Sequence, residues 1–149
     1  MNTSDAERLQ RLEHAELTRE VISRYCLALD TDDLNMLRGV FSDDIVLHRP
    51  PGEPLTGNRV MQFFTDALAE KVTHRKHFNT NPLITRTEGK TLAAQSYFFA
   101  FHHNHGELSL AWGSYDLSVR IEGGAALITA LTIDTAVPIA PVRTMIAPI

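Results

Sequence analysis

Residues 77–103 read HFNTNPLITRTEGKTLAAQSYFFAFHH. Two runs rich in Phe, Tyr, Thr and Ile flank Glu88-Gly89-Lys90, a turn signal, so the stretch predicts a hairpin of His77–Thr87 with Thr91–His103. Side chains alternate across a strand, so Ser96, Phe98, Ala100 and His102 share one face, and Tyr97, Phe99, Phe101 and His103 the other. His77, Asn79 and Asn81 share a face of the first strand. The hairpin can bring His77 and His102 onto one concave face, in a register that the sequence leaves open.

Further strands follow. His105-Gly106-Glu107 turns into Leu108–Ile121, and Gly123-Gly124 leads into Ala125–Asp134. The tail from Val137, with Pro138, Pro141 and Pro148, is expected to pack irregularly. Upstream the period changes. Ser4 or Asp5 caps a helix whose apolar positions Leu9, Leu12, Leu17, Val21, Ile22, Tyr25, Cys26 and Leu29 recur at three and four. Asp32 or Asp33 caps a second helix through Val40 and Phe41. Ile45–His48 reads as a short strand stopped by Pro50-Pro51-Gly52, and Asn58 to about Val72 as a third helix. Three helices before a curled antiparallel sheet give an α+β fold, expected as one domain over residues 1–149 with a pocket at its open end.

Composition narrows the function. Hydrophobic residues make up 44% and charged residues 21% of 149, a globular balance. A net charge of −4 offers no basic footprint for nucleic acid. The lone Cys26 excludes an intramolecular disulfide and a cysteine zinc site. The polar start, Met1 to Glu7, has no signal-peptide character, and no apolar run approaches a membrane span. The expectation is a soluble cytoplasmic protein without a membrane partner.

Asp30 ends the first helix four residues after Cys26, on a face expected to be buried, where a carboxylate calls for a partner. An imidazole oriented by a carboxylate is a minimal general base that needs neither metal nor cofactor. One reading therefore makes His77 the base, Asp30 its orienting group, and His102 the acid or a carbonyl hydrogen-bond donor. The other pairs Asp30 with a nearby arginine and leaves the histidines as ordinary strand residues. A metal site from His74, His77, His102, His103 and His105 is disfavoured, because neighbouring strand residues face opposite ways and no HExxH pattern occurs. Tyr25, Phe41, Phe64, Phe98, Trp112 and Tyr115 are candidates for a pocket wall, with His48 and Arg49 at its mouth; Phe63, Phe64 and Phe99 also read as core.

The order of a helix, RYCLALDTDDLNMLRGVFSDDIVLH (residues 24–48), a further helix, the hairpin above and long strands resembles the SnoaL-like proteins. These belong to the superfamily of nuclear transport factor 2 and ketosteroid isomerase. The resemblance covers about residues 8 to 135 and implies a cone-shaped α+β barrel. Within the superfamily the chain is most similar to the scytalone dehydratases and the hexachlorocyclohexane dehydrochlorinases. Their aspartate at the end of the first helix and histidine opening the strand after the third match Asp30 and His77, and a second pocket histidine of the dehydratases matches His102. The dehydratase tyrosines do not match: Leu29 and His48 or Arg49 stand there, and Tyr115 falls near the pocket asparagine. The resemblance implies a cofactor-free lyase, of dehydratase or dehydrohalogenase type, acting on a small hydrophobic, cyclic or polyketide-like molecule. An isomerase or cyclase with the same base, or a non-catalytic ligand-binding or dimerisation module, fits the same pattern. Family sheets commonly pair, so a homodimer or homotrimer is expected, through an outer face carrying Leu108, Leu110 and Leu117.

Overall fold

The computed structural model of the chain describes residues 4–69 and 74–141. Helix α1 spans Asp5–Asp30. Its start is fixed reciprocally: Glu7 N–H donates to Ser4 Oγ, and Ser4 N–H donates to Glu7 Oε2. These bonds satisfy two of the amides that a helix start leaves without partners. Helix α2, Leu34–Val40, is capped by Asp33, whose Oδ1 accepts from Met36 N–H at 2.8 Å.

Phe41 does not continue that helix. It opens β1, Phe41–His48, four residues earlier than the apolar run predicts, because it pairs with Ile128 of the last strand. The short β2 (Leu55–Thr56) and helix α3 (Asn58–Ala69) follow; the expected end of α3 near Val72 lies outside the described residues. Four long strands complete the chain: β3 His74–Glu88, β4 Thr91–Asn104, β5 Glu107–Glu122 and β6 Ala125–Pro141.

The strands form one sheet in the order β2-β1-β6-β5-β4-β3, with β1 and β6 parallel and the other neighbours antiparallel. The sheet curls around the three helices, giving the cone-shaped α+β barrel expected. Its inner face buries Leu92, Ala94, Leu117, Val119, Ile128 and Leu131 against Ile22, Tyr25 and Leu37.

The tail departs from expectation as far as Pro141. It continues β6, pairing Val137 with Trp112, Ala140 with Leu110 and Pro141 with Ser109. Among the described residues, β6 beyond Thr132 pairs with β5 alone, so one of its edges is not called on for amide donors and prolines are tolerated there. The remaining tail, with Pro148, lies outside the described residues.

Gly113 sets the bend at which β5 and β6 shift register. A Cβ on it would sit 2.0 Å from the backbone oxygen of Asp134. Only glycine lets the two strands approach this closely.

Candidate active site

A cavity of about 670 Å³ lies between α1, α3 and the inner face of β3–β6, large enough for a ligand of one or two rings. Its apolar wall includes Leu29, Phe63, Phe64, Leu68, Phe98 and Ile133. Polar atoms come from Tyr25, Arg49, Arg75, His77, His102, Tyr115 and Thr135.

The hairpin register pairs Arg75 with His102 and His77 with Ala100. Partners across an antiparallel ladder share a face, so Arg75, His77, Ala100 and His102 all point inward. The adjacent pair, His74 with His103, lies on the outer face, where the two rings stack at 6.0 Å. The histidines are thus divided by the sheet. Among the described residues, no group of three or more His, Cys, Asp or Glu side chains is placed to hold a metal ion.

Asp30 and His77 meet. The His77 backbone N–H and Nδ1–H both donate to Asp30 Oδ1, each at 2.8 Å. The Asp30 side chain is 9% exposed, and Lys76 Nζ stands 3.8 Å from its other oxygen. An ionised carboxylate only accepts, so this contact places the proton of a neutral His77 on Nδ1. Nε2 is then the basic nitrogen available to the cavity. Burial draws His77 below its ordinary imidazole value, although the hydrogen bond and charge of Asp30 oppose the shift. At neutral pH the ring is therefore an unprotonated acceptor.

His102 stands across from it, with ring centroids 6.1 Å apart at 68°. Burial, then the charge of Arg75 and that of His77 once it is protonated, take its imidazole down to about 4. A ring so hard to protonate is a poor acid near neutrality but still a hydrogen-bond donor.

Arg75 has no counterpart among the residues that sequence reasoning selected. It is 8% exposed, and Nη1 donates to the Leu29 carbonyl at 3.2 Å and to Asp32 Oδ1 at 2.6 Å. It thereby satisfies one of the carbonyls left open at the end of α1 and fixes the helix end that carries Asp30. The available signal was spacing: Arg75 lies two residues before His77 and must share its face once β3 starts at His74.

The aromatic residues sort by depth. Tyr25 and Tyr115 meet edge to face at 5.7 Å, and Phe98 stacks on Tyr115 at 4.5 Å. Burial pushes both phenols well above their ordinary values, so they remain protonated donors. Phe41 does not line the cavity; it stacks behind Phe64 at 5.6 Å as core. Phe63 lines the cavity instead of filling the core, with the Arg49 guanidinium 4.9 Å above its ring. His48 stays off the wall, whereas Arg49 and Pro50 reach it.

Trp112 is corrected to the outer face, 38% exposed and packed beside Phe99 at 6.4 Å. Phe99, 41% exposed, is surface rather than core. Trp112 and Tyr115 are three apart on one strand and so face opposite ways. Leu117 is buried inside, leaving Leu108 and Leu110 of the three leucines expected outside.

The family model of the SnoaL-like domain matches residues 10–132. No curated protein matches the chain. Among solved structures, a provisionally assigned aromatic ring hydroxylase from Novosphingobium aromaticivorans is 25% identical; the match covers 87% of this chain and 94% of that one, with a TM-score of 0.78. A provisionally assigned scytalone dehydratase from the same organism is 18% identical over 85% of this chain and 86% of its own, with a TM-score of 0.77. The hexachlorocyclohexane dehydrochlorinase LinA-type3 from Novosphingobium barchaimii is 13% identical over 98% and 97%, with a TM-score of 0.76. At 18% and 13% the likeness is one of fold. No helix among the described residues is long and apolar enough to cross a membrane.

Proposed function

Because the chain belongs to the SnoaL-like domain family, we propose that it is a cofactor-free lyase in which His77, held by Asp30, removes a proton from carbon. What carries the reading is the 2.8 Å contact of Asp30 Oδ1 with His77 Nδ1 at the edge of a cavity that His77 lines. The names of two similar folds, a dehydratase and a dehydrochlorinase, support the same reaction class.

The substrate is a small, largely apolar ring. Its C–H lies beside a carbonyl or a carbon bearing the leaving group. His77 Nε2 takes the proton, and the C–H electron pair becomes the new double bond, directly or through an enolate. Water or halide departs from the neighbouring carbon; the imidazolium returns its proton to departing hydroxide, or to solvent when halide leaves. Asp30 stabilises the imidazolium, and the His102 N–H, with the Tyr25 hydroxyl that itself accepts from Tyr115, can bind an oxyanion that develops on the carbonyl. The nearest variant, an isomerase or cyclase, uses the same base and returns the proton to another carbon.

The test is release of water or halide from a panel of β-hydroxy ketones and halogenated cyclohexanes. Positioned acid–base catalysis contributes about 10²–10⁴-fold, so His77→Ala should lose at least about a hundredfold in kcat. A His77→Ala protein that eliminates as fast as wild type overturns the reading.

A further inference from the structure

We infer that the cavity takes an organic acid, a small ring bearing a carboxylate that is received by Arg49 at the cavity mouth. The inference rests on the lyase reading for what happens to that acid, but not for its binding.

Among the described residues, two charged side chains besides the histidines line the cavity, Arg49 and Arg75, and no aspartate or glutamate does. Composition does not explain this, since the chain carries 18 acidic and 14 basic residues. Asp32 answers the charge of Arg75, and Asp30 stands behind His77, so Arg49 is the cation that the described lining leaves to attract an anion.

The two arginines are differently engaged. Arg75 is buried and already bonded to the Leu29 carbonyl and Asp32. Arg49 follows β1, is exposed, and among the described residues has no carboxylate within ion-pair distance. A solvated surface arginine would extend into water. Arg49 instead lies against the face of Phe63, itself part of the wall. A guanidinium held on a ring face keeps its forked N–H edges available, and that fork matches the two oxygens of a carboxylate. The same contact sets the ligand's apolar body beside Phe63, Phe64 and Leu68. A neutral hydrocarbon ring would use the wall and leave Arg49 idle; a ring with a carboxylate uses both.

The probes are 2-naphthoate and its neutral counterpart 2-naphthamide, titrated calorimetrically into wild type, Arg49→Gln and His77→Ala proteins. Wild type is expected to bind the naphthoate at least tenfold more tightly than the amide. Arg49→Gln should erase that preference while leaving amide affinity within twofold, and Arg49 is exposed enough for the variant to fold. His77→Ala should keep the preference, which separates this inference from the lyase reading: undiminished turnover by His77→Ala with retained naphthoate selectivity would end the lyase alone. Equal affinity for the two probes in wild type, no binding of either, or undiminished naphthoate binding by Arg49→Gln would each overturn the acid site.

Discussion

Asp30 Oδ1 lies 2.8 Å from both the backbone nitrogen and Nδ1 of His77, so one oxygen fixes the strand and the ring together. Asp30→Asn separates the two roles. The amide oxygen still accepts the backbone N–H, but the negative charge that favours the imidazolium is gone. The variant should fold and should lose about 10²–10⁴-fold in kcat. Nitrogen-15 shifts of the imidazole should show Nδ1–H in wild type and a mixed tautomer in the variant.

Both inward histidines are held below their ordinary value of 6.5, His102 down to about 4, chiefly by burial. Unfolded, they take up protons near 6.5; folded, they resist until lower pH. The unfolded state therefore holds more protons across this window, and stability falls as pH is lowered from about 6.5 towards 4. His102→Gln should show a smaller drop in urea midpoint between pH 7.5 and 4.5 than wild type. Proton NMR should place the His102 midpoint near 4.

Gly113→Ala puts a methyl group where the Asp134 carbonyl stands, so β5 or β6 must move. The expected cost is about 1–3 kcal/mol, the range for forcing an extra group into a packed region. Ser114→Ala, half-buried on the opposite face, should stay within about 0.5 kcal/mol in the same denaturation.

The outer sheet face exposes Phe78, Tyr97, Phe99 and Trp112. The expected self-association should use these aromatics and not Leu117. Light scattering should give a mass at least twice the 16.6 kDa chain. Trp112→Lys with Phe99→Lys should reduce it to one chain, without loss of the Asp30–His77 contact.

How far the sequence carried depended on the range of the determining forces. The α1 start, its end at Asp30 and the Glu88–Lys90 turn follow from bonds within a few residues, and all three were legible. Arg75 was not: its partners, Leu29 and Asp32, lie 46 and 43 residues away, and His-Arg-Lys has no apolar alternation to announce a strand. Trp112 was misplaced although the two-residue period of one strand suffices to set it opposite Tyr115. The extension of β6 through Pro138 was hidden because proline reads as a breaker until the unpaired edge is known.

Strand β3 speaks alternately to two audiences. Arg75 and His77 address the cavity, and His74, Lys76 and Phe78 address the outside. Point substitutions can therefore revise the reaction and the outer surface independently. A single inserted or deleted residue ahead of His77 would exchange the two sets in one step, turning the base outward and an apolar ring in. Variation in this lineage should accordingly tolerate changed residues near position 77 far more readily than a changed count of them.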